Sequence, residues 1–143
     1  MRNLFILLTL STILISCSSD DVDSTEPIVN SKSITDCEII IQPETQIAIC
    51  LDGTGVALPN EIITFASSLY AKNNNPSDTQ FFWSIESGSM DILSVVTTVD
   101  GPIAKSITTI RFNSDYSGNG VIEVRAENIT GSNGRALLNV ELE

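Results

Sequence analysis

The sequence predicts an all-β fold, an antiparallel β-sandwich of about 110 residues behind an apolar leader and a flexible tether. Three observations predict it. From residue 34 onward, Val, Ile, Thr and aromatic residues gather in short runs, each bounded by Gly, Asn, Asp or Pro. Several of these runs alternate apolar and polar residues, as a strand with one buried face requires. No stretch holds an apolar period of 3.6 over three turns, the spacing of an amphipathic helix.

The leader comes first. Leu4 to Ile15 is apolar apart from Thr9, Ser11 and Thr12, and it falls short of the roughly 20 residues a membrane-spanning helix needs. Arg2 precedes it and the small Ser16 closes it, the layout of a secretory signal. Leu14-Ile15-Ser16-Cys17 resembles the lipobox of bacterial lipoproteins, which are cut before the cysteine and acylated on its thiol. The resemblance implies a signal peptide over residues 1–16, lipid attachment (diacylglycerol and palmitate) at Cys17, and anchorage at the cell outer membrane.

Residues 17–33 form the second unit, the acylated cysteine and an acidic tether. SSDDVDSTEPIVNSKS has too little apolar density to offset the entropy of ordering it. Ser19, Asp20 and Asp21 resemble the export signal of Bacteroidetes-type surface lipoproteins, which implies display on the outer face of the outer membrane. Asp23-Ser24-Thr25 resembles the O-glycosylation pattern of such bacteria, and Asn128-Ile129-Thr130 has the form of an N-glycosylation sequon.

The third unit is the domain, residues 34–143. It opens with two cysteines, and an exported chain meets an oxidising compartment, which makes Cys37 and Cys50 a candidate disulfide. If Gln42 to Thr45 form a hairpin loop, Ile41 faces Gln46 and the same register sets Cys37 opposite Cys50. A pair of small buried thiols is the competing reading. Strands are expected over residues 36–42, 46–51, 61–71, 80–86, 92–99, 103–112, 120–128 and 135–142. The composition of Glu61 to Ala71 would tolerate a helix, but the β-branched run Ile62-Ile63-Thr64 argues for strand. Phe81, Trp83 and Ile85 share one face, and Ile122, Val124 and Ala126 share another; Trp83 is expected as the central core aromatic, with Phe112 and Val124 beside it.

FFWSIESG and the stretch ITTIRFNSDYSGNGVIEVRAENITGSNGRALLNVEL resemble the PKD-like branch of immunoglobulin-like domains in bacterial surface proteins. The carriers are Phe81-Phe82-Trp83, the apolar-x-Phe ending at Phe112, and Gly120 to Asn128. The resemblance covers residues 60–143 and implies an immunoglobulin-like sandwich. Tyr116 departs from the family pattern by lying before the strand instead of within it.

Charge and chemistry narrow the function. Seven Lys and Arg stand against 18 Asp and Glu, a net charge of −11, and loss of the leader would take Arg2 with it. That balance disfavours phosphate backbones, so nucleic acid is not an expected partner. With no histidine, the commonest general base and the usual zinc ligand are missing, and so is every triad built on His. Walker, nucleophile-elbow and Ser-x-x-Lys motifs are likewise lacking from the sequence. Asp91, Asp100 and Asp115 are expected in turns, and so are the oxygen-rich runs Asn73 to Asp78 and Asn113 to Asp115, which lack the ordered spacing of a calcium loop. No enzyme, cofactor or metal is therefore expected. The expected function is a non-enzymatic, lipid-anchored surface module that adheres, docks or spaces through an unknown protein or glycan. The alternative is a carbohydrate-binding lipoprotein of a glycan-uptake system, which would stack sugars on Tyr70, Phe82 or Tyr116.

Overall fold

A computed structural model describes residues 30–143. The leader, Cys17, the acids Asp20 and Asp21 with Ser19, and most of the tether lie outside the described residues. Eight strands follow in order: β1 (Ile47–Asp52), β2 (Val56–Ala57), β3 (Ile62–Ala71), β4 (Thr79–Ser87), β5 (Met90–Asp100), β6 (Ile103–Phe112), β7 (Gly120–Asn128) and β8 (Asn133–Leu142). One turn of 3-10 helix, Pro76–Asp78, precedes β4, with Asn75 as its N-cap.

The strands form two four-stranded sheets in the orders β1-β3-β6-β5 and β2-β8-β7-β4. All pairings are antiparallel except that of β2 with β8. The chain changes sheets at every connection from β1 to β5 and again between β6 and β7, so the hairpins alone do not make the sheets. Two packed sheets bury one face of each, which is why alternation is clean in β6 and β7.

Between the sheets lie Ile63, Phe65, Met90, Ile110, Phe112, Tyr116, Ile122 and Val140, packed as one cluster with Ala57. The Phe112 ring meets Tyr116 edge-on at 4.8 Å, and Phe65 lies 6.4 Å from Phe112. Phe112 and Val124 are fully buried. Trp83 corrects an expectation. It packs against the cluster from β4 while staying half-buried, and the centre is the Phe65–Phe112–Tyr116 trio. The reason is its polar handle: the indole Nε1 donates to Ser106 Oγ at 3.0 Å, which holds the ring toward β6.

β3 is buried on both faces, and its second cover is a strap of irregular backbone, residues 30–37. Ile34 N donates to Thr64 O at 3.0 Å, Thr64 Oγ1 donates to Ile34 O at 3.0 Å, and Ser68 Oγ donates to Cys37 O at 2.8 Å. This overturns the expected strand over 36–42. The turn at Gln42–Thr45 forms, with Thr45 N donating to Gln42 O at 3.0 Å. The arm entering it does not pair with β1. β1 ends its sheet, paired with β3 alone, and its Ile49 side chain packs so close to Gly134 of β8 that a Cβ there would stand 2.9 Å from the Ile49 Cβ. Residues 36–42 form no ladder with β1, and Ile40 is exposed.

Candidate functional site

The strap is the first place where predicted residues meet. Cys37 and Cys50 are joined as a disulfide, with Cα atoms 6.1 Å apart. The bond links the end of the strap to the middle of β1 across the β1–β3 pair, since Cys50 lies opposite Ser68 and Ser68 holds the Cys37 carbonyl. The partners are those expected; the hairpin register that suggested them is not the one that joins them.

Ion pairs fasten the rest of the strap. Lys32 sits between Glu61, at 3.0 Å, and Glu143. Asn30 Nδ2 donates to Glu61 at 3.2 Å, and the Leu58 N–H donates to the same carboxylate at 2.7 Å. Burial by itself would raise the Glu61 pKa, but these donors and the Lys32 charge outweigh it and hold the group below its ordinary value. Asp36 pairs with Lys105 at 2.9 Å, and that hydrogen bond holds its carboxyl low as well. Lys105 reaches Asp100 at 3.0 Å from its other side.

The oxygen-rich loops gather at one end of the sandwich. Asn73 takes a left-handed conformation (φ 65°), which asparagine tolerates better than most residues. Asn74 Nδ2 donates to Ser132 Oγ at 2.8 Å, tying the β3–β4 loop to the β7–β8 turn. Asn128 is the hub. Its Nδ2 donates to Asn75 O at 3.0 Å and Thr79 Oγ1 at 3.3 Å, and its Oδ1 accepts from the Thr130 N–H and hydroxyl at 3.1 and 3.0 Å. The sequon amide is therefore buried and fully engaged, which removes it as a glycan acceptor in the folded domain. Two shallow adjoining depressions of about 210 Å³ each flank this hub, lined by Asp78, Gln80, Glu127, Ser132 and Asn133 among others.

The three aromatic candidates do not converge. Tyr116 is buried, donating its hydroxyl to Val140 O at 2.5 Å. Tyr70 is half-buried and shares the strap side of β3 with Thr64 and Ser68. Phe82 lies exposed on the outer face of the other sheet, with the Arg125 guanidinium 5.3 Å from its ring centroid. The predicted turn acids also separate. Asp115 is in a turn and accepts from Ser89 Oγ, whereas Asp91 and Asp100 are in β5 and pair with Arg111 and Lys105 on β6.

Sequence reasoning missed the strap and the Asn128 hub. The hub's signal was present in Asn128-Ile129-Thr130-Gly131, an Asx turn closing on a positive-φ glycine. Among the described residues no cluster of three or more acidic or cysteine side chains could hold a metal ion, and no helix is long and apolar enough to cross a membrane. Compared with protein-family models and with curated proteins, the sequence matches none.

Proposed function

We propose that the chain is a non-enzymatic, lipid-anchored surface module: a β-sandwich carried on a tether from an acylated Cys17 and displayed at the outer membrane for docking, adhesion or spacing. The observation that carries it is the stitching of the domain's N-terminal entry. A disulfide, two ion-paired groups and five hydrogen bonds along residues 30–37 fix the point at which the tether would enter the sandwich. The lipobox-like Leu14-Ile15-Ser16-Cys17 and the acids Asp20 and Asp21 behind it support the anchor and the export.

An immunoglobulin-like assignment is part of the same reading. The two strand orders fit the arrangement in which strands A, B, E and D form one sheet and C, F and G the other, with β2 as an added strand beside the last. A buried tyrosine before β7 whose hydroxyl caps a main-chain carbonyl supports it further.

Cell fractionation tests the anchor. Cys17→Ala should move the protein from the membrane to the soluble fraction, and unchanged membrane association would refute the lipid reading. Protease added to intact cells should degrade the domain if it is displayed outside.

Carbohydrate binding stays as a second reading on one observation, the exposed Phe82 with Arg125 over its ring. Phe82→Ala should abolish retention on a glycan array if that reading holds, and unaltered retention removes it.

A further inference from the structure

The outer edge of β5 is the remaining feature with an unassigned use. β6 pairs with β5 from Met90 to Asp100, and among the described residues no strand pairs with its other side. Leu93, Val95, Val96 and Val99 are 43%, 44%, 55% and 46% exposed, and Ile92 to Val99 carries no charge. Soluble β proteins guard such edges with lysine, proline or a bulge. The bulge between Ile92 and Ser94 is the guard present here, and residues 94–100 run on beyond it in regular pairing. The two acids that bracket the run are engaged toward β6, Asp91 with Arg111 and Asp100 with Lys105.

Alternation fixes which backbone groups face outward. Asp100 and Ile103 close a two-residue turn, so they form a hydrogen-bonded pair, and Thr98 with Lys105 and Val96 with Ile107 follow in the same phase. Val95, Thr97 and Val99 therefore turn their N–H and C=O groups away from β6.

We propose that this edge pairs with the same edge of a second copy, antiparallel about a two-fold axis at Thr97. Thr97 then faces the partner's Thr97, and Val95 faces the partner's Val99. The pattern Val-x-Thr-x-Val is symmetric about Thr97, so this axis sets valine against valine and threonine against threonine, cross-strand pairs that make the edge complementary to itself. The three outward-facing residues of each copy satisfy those of the other, and the exposed valines adjoin across the seam. Asp100 falls opposite the partner's Ser94, so this register brings no two acids face to face despite the acidic composition. The pairing rests on β5 alone and holds whether or not the chain is lipid-anchored.

Sedimentation equilibrium of the full chain, with Cys17→Ala so that no other free thiol competes, tests it. A concentration-dependent dimer is expected. Val95→Lys with Val99→Lys should convert it to a monomer that keeps its fold, because both side chains are exposed, and whose thermal midpoint no longer depends on concentration. Thr97→Cys should cross-link on mild oxidation, whereas Val95→Cys should not, its two copies standing roughly 14 Å apart at 3.4 Å per residue. A monomer at every concentration overturns the proposal, as does a dimer that survives both lysines or equal cross-linking at the two positions. A monomer whose Val95, Thr97 and Val99 amides resist exchange would give the edge to the chain's own residues 18–29, and overturns it too.

Discussion

Tyr116 concentrates several kinds of stabilisation in one side chain. Its ring packs edge-on to Phe112, its hydroxyl holds the Val140 carbonyl, and its ring end fills the space beside Gly120, where a Cβ would stand 2.7 Å from the hydroxyl oxygen. Burial raises the phenol's pKa above its ordinary 10.0; the Gly120 N–H opposes this and the Glu141 charge adds to it. A raised phenol contributes stability that is complete below that ordinary value and lost as pH climbs through the folded one. Tyr116→Phe should cost about 1–2 kcal/mol in urea denaturation at neutral pH, and it should flatten the alkaline fall in stability. An alkaline limb identical to that of the unaltered protein would refute the second half. Asn128→Ala strands the Asn75 carbonyl and the Thr79 hydroxyl, and a loss of about 2 kcal/mol is expected in the same measurement. At this scale the sequence was an uneven guide. Phe112 and Val124 were legible because alternation points them inward, while Trp83 was misplaced because alternation assigns a face without giving a depth.

The strap is the element that sequence reading got wrong, and the reason is physical. Cys37 to Gln42 has the composition of a strand, but its start is drawn to β3, where Ser68 holds the Cys37 carbonyl, and the segment forms no ladder. That contact spans 31 residues of sequence, which composition does not report. By contrast β6 and β7 match their expected spans, Ile103–Phe112 and Gly120–Asn128, because each carries an alternating pattern closed by turn residues. Two-residue β2 and the turn of 3-10 helix had no pattern long enough to see. The disulfide closes a loop of separation 13, and Cys37→Ser with Cys50→Ser should lower stability by about 3 kcal/mol on the chain-entropy account. Acid should loosen the same strap. Asp36 and Glu61 sit below their ordinary values of 3.8 and 4.5, so their contribution is present above those values and lost as pH falls beneath them. Asp36→Asn with Glu61→Gln should flatten the acid limb of the stability curve, and an unchanged limb would assign it to other carboxylates.

For the whole molecule, charge sets the terms. Eighteen acids against seven bases give a surface whose like charges repel in the compact state. The described ion pairs are mostly exposed and individually weak, so screening should relieve more repulsion than attraction. Raising sodium chloride from low ionic strength should therefore raise the thermal midpoint, and a midpoint that falls would show the strap pairs to dominate. The sandwich itself was legible from period-two patterning and turn spacing. The order of its strands was not, because the sheet changes depend on which apolar faces meet across the core.

The strap also decides how the domain would answer a pull from its N-terminal side. Tension entering at Asn30 meets Lys32 and Ile34 first, contacts that can detach one at a time like a peeled strip. At Cys37 the peeling stops, because the covalent link passes the tension directly to the middle of β1. From there β1 bears on β3 through six consecutive residue pairs, which must slide together instead of parting in turn. A short yielding segment ahead of a locked sheet is a shock absorber in series with a fixed stop.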